Sequence, residues 1–137
     1  AGAIVPDMPP EAATPWLRVA HGLDTVFLAA PTSTDERLAI VTAASQGFVY
    51  CVSTTGITGE RQTLALGLAD SVERIRTHTA LPVAVGFGVS TPAHAAQVAA
   101  IADGVIVGSA IVKRQHDPDE VERFVAELAS AVHGEGA

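Results

Sequence analysis

Two stretches carry residue types that could bind an anion: Val83-Ala-Val-Gly-Phe-Gly-Val-Ser90 and Asp103-Gly-Val-Ile-Val-Gly-Ser-Ala-Ile-Val112. In each, an apolar strand runs into glycine and a small hydroxyl residue, and a helix opens just beyond. Backbone N–H groups at such a turn point outward and lack partners, which suits a phosphate. Gly86 and Gly88 sit in one turn, Gly108 and Ser109 in the other. Glycine there lets the backbone approach an anion closely, and a phosphate held by N–H groups needs no lysine or arginine. The plainer reading of either turn alone is a tight turn. Two of them on successive strand–helix units read as one anion site, the arrangement after the last two strands of a (β/α)8 barrel. A Rossmann fingerprint fits poorly: Gly86-x-Gly88 has no third glycine in register, and no acidic residue ends a following strand.

Other candidates are less specific. The loop Ser53-Thr-Thr-Gly-Ile-Thr-Gly-Glu60 is rich in glycine and hydroxyls. That composition suits a hinged lid over a ligand and equally an ordinary solvated loop. Tyr50, on the strand before it, is placed to line a pocket or to pack in a core. Asp7, in Val5-Pro-Asp-Met-Pro9, follows the first strand, where barrel chemistry sits; it also suits a helix entry ahead of Pro9 and Pro10. Glu60 is the other carboxylate near a strand end, and neither stands out as catalytic. His21, His78, His94, His116 and His133 fall on helices or at their ends, without metal-ligand spacing. They read as surface or capping residues.

The elements that must position the glycine turns are short and apolar on successive residues. Strands are expected at Ala3–Val5, Thr25–Ala29, Phe48–Val52, Val83–Val85 and Val105–Val107, covered on both faces and therefore parallel. Between them, Pro9-Pro10-Glu11 opens a helix with Ala13, Trp16, Leu17 and Ala20 on one face and Gly22 as its stop. Ser33 with Glu36 reads as a capping box. Leu68, Val72 and Ile75 mark a third helix face. Thr91-Pro92 opens a fourth helix and Asp117-Pro118 a last one, with Phe124 and Leu128 at helical spacing. The expected fold is α/β: five βα units in a single domain over residues 1–137. A whole barrel takes about 200–250 residues, so the chain is expected to hold the C-terminal portion of one, lacking three βα units before its partial-looking start.

Composition narrows the partners. Net charge is −7, and Lys113 is the single lysine among eight basic residues. No basic stripe with interleaved aromatics is present, so nucleic-acid binding is not expected, and the acidic balance argues against anionic membrane surfaces. No apolar run reaches the ~20 residues of a membrane span, and no signal peptide is visible. The lone Cys51 lies in an apolar run and reads as a buried core thiol. A reducing, cytoplasmic setting fits.

Taken together, Ile4-Val-Pro-Asp-Met-Pro9, Phe48-Val-Tyr-Cys-Val-Ser-Thr-Thr-Gly-Ile-Thr-Gly59, Gly86-Phe-Gly-Val-Ser90 and Gly104-Val-Ile-Val-Gly-Ser-Ala-Ile-Val-Lys113 resemble the tryptophan synthase alpha subunits. The resemblance runs through the chain in order, and the alanine-rich, lysine-poor composition looks bacterial. It implies a (β/α)8 barrel and a lyase of tryptophan biosynthesis, cleaving indole-3-glycerol phosphate to indole and glyceraldehyde 3-phosphate by a retro-aldol step. It implies no metal or organic cofactor in this subunit; pyridoxal phosphate belongs to a partner beta subunit that receives the indole. By resemblance, Gly59, Gly88, Gly108 and Ser109 hold the substrate phosphate, Tyr50 and Phe87 line the indole and glyceryl pocket, and Thr58 is a lid residue. Residues Pro6 to Pro10 fall near the beta-subunit interface. The match begins at the fourth barrel strand, so the family's catalytic glutamate and aspartate are expected outside this chain, and the isolated chain is expected to be inactive. Alternatives are another phosphate-binding barrel enzyme, of phosphoribosyl isomerase or indole-glycerol-phosphate synthase type, and a non-catalytic half-barrel binding module.

Overall fold

Strand and helix alternate along the chain, as the apolar runs predict. The computed structural model describes residues 1–53, 61–86 and 88–134, with backbone alone for 61–66. β1 (Gly2–Ile4) leads through a 3-10 turn at Pro10–Ala12 into α1 (Thr14–Val19). β2 (Asp24–Val26) and β3 (Leu28–Ala29) precede α2 (Asp35–Ala44). β4 (Val49–Val52) precedes α3 (Arg61–Arg76), and β5 (Val83–Gly86) precedes α4 (Pro92–Ala99). β6 (Gly104–Ile106) is followed by α5 (Ser109–Val112) and α6 (Pro118–His133).

Every described strand pair is parallel: β1 with β2, and β3-β4-β5-β6 in that order. The expected strand Thr25–Ala29 is broken at Phe27. Its N–H donates to Ser45 Oγ at 3.3 Å rather than to a neighbouring strand, while its carbonyl accepts from Tyr50 N at 3.2 Å. The chain changes partner there, from β1 to β4. The expected strands therefore follow one another in space as they do in sequence.

Successive residues of a strand face opposite sides. On one side Val49, Cys51, Val83 and Val85 have no exposure and join Leu38, Val41, Val72, Ile75 and Val98 of the helices in one core. Burial of each larger side chain stabilises the fold by about 1.5–3 kcal/mol. On the other side Tyr50, Val52, Ala84 and Ile106 are half-buried. Coverage of both faces, expected from the continuous apolar runs, is thus met on the helix side alone. The second face of a barrel strand is covered by strands across the lumen, and the strands here cover only part of it.

The helix boundaries follow the punctuation with two corrections. Thr91 caps α4 by accepting from His94 N at 3.1 Å, and Asp117 caps α6 by accepting from the N–H groups of Asp119 and Glu120. The cap of α2, however, is Thr34, which accepts from Arg37 N; Ser33 Oγ is taken by Ala30 N at 3.1 Å and is not free to cap. In the first helical segment Ala13 and Ala20 are buried, but Leu17 is exposed. The 3-10 turn at Pro10–Ala12 shifts the phase of α1 relative to one continuous helix.

At the N-terminal end of β5, Asp103 closes a clasp. Its Oδ2 accepts from Val83 N at 2.9 Å and lies 3.2 Å from Arg76 of α3. The Val83 hydrogen bond, then Arg76, holds the Asp103 carboxyl below its ordinary range. Such contacts at the end remote from a barrel's chemistry serve stability.

Candidate functional site

Register decides what meets at the C-terminal ends of the strands. Val52 pairs with Gly86, and Gly86 with Ile106. Ser53 N–H donates to the Gly86 carbonyl at 2.9 Å, which ties the end of β4 to the end of β5. Gly88 and Gly108 each lie two residues past the Gly86–Ile106 pair, so the two glycine turns leave adjacent strands at the same level. The sequence pairing of these turns is therefore a spatial pairing.

Gly108 is the N-cap residue of α5 and supplies no side-chain cap. Its carbonyl accepts from Ile111 N and Val112 N. Among the described residues, none accepts from the N–H groups of Gly108, Ser109 or Ala110. Gly108 and Ser109 are exposed, and a Cβ built on Gly108 would have nothing within 4 Å. Gly88 is also exposed and has φ +79°, a conformation that favours glycine.

Gly86 is glycine for a different reason. A Cβ there would strike the Tyr50 hydroxyl, and would lie 2.8 Å from Tyr50 Cζ and 2.9 Å from Ile106 Cβ. The Tyr50 ring thus lies across Gly86 on the open face of the sheet, in front of Ile106. Tyr50 thus packs against Gly86 and stays half-buried on that face. Burial raises the phenol above its ordinary value near 10, so it stays a neutral donor and acceptor.

Four of the expected groups are brought together at this end: Tyr50, Gly88, Gly108 and Ser109. Gly59, Thr58, Phe87 and Glu60 lie outside the described residues. Asp7 is exposed in the turn after β1, at the opposite extreme of the strand order from β6. His78 Nε2 is 3.8 Å from Asp35 Oδ1, a carboxylate that also pairs with Arg74; this cluster ties α3 to the start of α2. Among the described residues, no group of three His, Cys, Asp or Glu could hold a metal ion. Likewise no helix among them is long and apolar enough to cross a membrane. The sequence assigns no site role to Ile106, and it marks Ser53 only as the start of the candidate lid loop. Alternation along β6 places Ile106 on the same face as Gly86, a signal available from the strand alone; the Ser53 bond depends on register and was not.

Comparison with known proteins places this arrangement. The family model described as "Tryptophan synthase alpha chain" matches residues 1–135. The alpha chain of Streptomyces coelicolor is 49% identical over 144 residues, covering 98% of this chain and 53% of the relative. That of Pelobacter propionicus is 46% identical, covering 99% and 54%. An open form of tryptophan synthase from M. tuberculosis superposes with a TM-score of 0.83 at 41% identity, over 96% of this chain and 50% of that one. The alpha subunit from Campylobacter jejuni gives a TM-score of 0.84 at 30% identity, over 91% and 52%. The chain therefore spans about half the length of the relatives it matches, and its strands and helices are part of a (β/α)8 barrel. It belongs to the tryptophan synthase alpha chain family.

Proposed function

We propose that this chain forms the phosphate-holding part of an indole-3-glycerol phosphate lyase. In that reaction a proton is delivered to the indole ring carbon bearing the glyceryl chain, and a proton leaves the adjacent glyceryl hydroxyl. The carbon–carbon bond then breaks to give indole and glyceraldehyde 3-phosphate, with no net change in protons or electrons. The two proton transfers call for general acid and base groups. These are the glutamate and aspartate expected in barrel strands that this chain does not contain, preceding its own as three further βα units. The residues here bind and orient. The N–H groups of Gly88, Gly108 and Ser109, with the Ser109 hydroxyl, take the phosphate. Tyr50 borders the indole and glyceryl part. The exposed turn around Pro6, Asp7 and Pro9 would face the beta subunit to which indole passes.

One observation carries this reading: the β5–β6 register sets both glycine turns side by side, with the uncapped start of α5 open to solvent. Since a Cβ on Gly108 would meet nothing within 4 Å, a methyl group there obstructs a ligand without a packing clash. Gly108→Ala is expected to leave stability within about 0.5 kcal/mol and to weaken a non-cleavable indole-3-alkyl phosphate about tenfold, the loss typical of a disrupted hydrogen bond to a charged group. Titration by NMR of the chain and the variant reads both. Equal affinity in the two proteins, no binding in either, or tighter binding of a phosphoribosyl ligand sinks the proposal.

A further inference from the structure

The single turn α5, Ser109–Val112, is too short to hold its shape without outside contacts. Arg114, two residues past its end, ties it down from behind. The side chain turns back, and Nη1 donates to the Ala110 carbonyl at 2.6 Å. The guanidinium lies over the Phe124 ring of α6, 3.8 Å from its centroid, with Glu120 Oε1 3.4 Å from Nε. Phe124 is buried, so the cation is stacked on a packed surface and its fork keeps one direction.

The carbonyl that Arg114 grips leads to the glycine turn. It shares a peptide unit with the Ile111 N–H, which donates to the Gly108 carbonyl at 2.9 Å. The Gly108 carbonyl in turn shares a peptide unit with the Ser109 N–H, one of the donors proposed for the phosphate. A second branch reaches the same carbonyl: Arg114 N donates to Ile111 O at 2.9 Å, and Val112 N to Gly108 O at 3.1 Å. Linked hydrogen bonds polarise one another by roughly 10–30% per bond. Tyr50, Gly88, Gly108 and Ser109 bring no positive charge of their own to the site. We infer that Arg114 is a positioning residue for the phosphate: it fixes the Gly108–Ala110 turn and polarises the Ser109 N–H through two peptide units, without touching the ligand. This rests on the phosphate reading of Gly108 and Ser109.

The test titrates the 137-residue chain and three variants with the non-cleavable indole-3-alkyl phosphate, followed by NMR. Arg114→Met keeps an unbranched side chain against Phe124 without the charge. It should weaken binding about two- to fivefold, the effect of losing a cation at a helix C-terminus. Arg114→Lys returns the charge within reach of the same carbonyl and should bind within about twofold of the unmodified chain. Lys113→Met removes an equal but exposed charge next door and should also stay within about twofold, since solvent screens it. Without ligand, the Ser109 amide proton should move upfield in Arg114→Met and return in Arg114→Lys, a reversal that a purely structural role would not produce. Unchanged affinity in Arg114→Met, no rescue by lysine, an equal loss in Lys113→Met, or an unmoved Ser109 amide overturns the inference. If Gly108→Ala weakens the ligand and Arg114→Met does not, Arg114 loses its role and the phosphate reading stands. If the unmodified chain binds no phosphate ligand, the phosphate reading fails and takes this inference with it.

Discussion

Replacing Gly86 with alanine tests the geometry at the heart of the site. The added Cβ meets Tyr50 and lies 2.9 Å from Ile106 Cβ, where carbon atoms ordinarily rest about 3.5–4.0 Å apart. Ile106 Cβ is fixed to the backbone and cannot swing aside, so strand or ring must move by roughly 0.6–1 Å. Overpacking of this kind costs about 1–3 kcal/mol. Gly86 is not among the glycines with positive φ, so alanine also gains about 0.4–1 kcal/mol from the less flexible unfolded chain. The net expectation is a loss of about 0–2.6 kcal/mol, centred near 1.3. Urea unfolding can be followed by the single tryptophan, Trp16, whose Nε1 donates to the buried Thr25 Oγ1 at 3.0 Å. In a Tyr50→Leu background the nearest obstruction is gone, and the penalty for Gly86→Ala should fall by about 1 kcal/mol, a coupling typical of side chains in contact. Gly67→Ala is the control. It lies in α3 with nothing within 4 Å of its would-be Cβ and should stabilise by about 0.5–1 kcal/mol. The same penalty in both backgrounds, within about 0.3 kcal/mol, would mean that Tyr50 does not exclude a side chain at 86, since independent sites add to that degree.

Other expectations concern single groups. Cys51 has no exposure, and burial pushes its thiol up to about 11. A thiol reagent at about pH 8 should therefore modify it only at the rate of unfolding, and prompt stoichiometric labelling of the native chain would contradict this. Because that value is raised in the folded state, the stability linked to Cys51 is complete below about 9 and lost as pH climbs towards about 11; Cys51→Ser should flatten that slope. Asp103 behaves in the opposite sense. Its lowered value means stability that is present above the ordinary 3.8 and lost as pH falls through the folded value. Asp103→Asn should reduce the acid dependence of the urea midpoint, and an unchanged acid limb would remove Asp103 from the clasp.

Much of this fold is legible in the chain because local signals agree. Thr91-Pro92 and Asp117-Pro118 open helices where their side chains cap, and buried Leu68, Val72 and Ile75 form the face their spacing predicts. What is not legible depends on partners elsewhere in sequence. The break at Phe27 arises because Ser45 Oγ competes for its N–H, and nothing local to Thr25–Ala29 announces it. Thr34 caps α2 in place of Ser33 because Ala30 has already taken the serine hydroxyl, a choice between neighbouring hydroxyls that a capping pattern cannot make. The half-buried lumen face reads as core in sequence, since Tyr50, Val52, Ala84 and Ile106 are as apolar as the residues beneath the helices.

The glycines of the site look alike in sequence and are separated by the structure. Gly86 is excluded from carrying a side chain by Tyr50 and Ile106. Gly88 is held at φ +79°, where an L side chain is strained. Gly108 meets neither constraint: φ is −122° with ψ −80°, not a positive φ, and a Cβ there would have nothing within 4 Å. Helix N-caps favour Ser, Thr, Asp or Asn, whose side chains would satisfy the first N–H groups. A capping side chain at 108 would occupy those donors, and glycine leaves them to something else. Gly108 is thus the glycine that neither a packed neighbour nor a positive φ requires, and the proposed phosphate gives it a role. For that reason the phosphate reading stands or falls on Gly108 rather than on the more crowded Gly86.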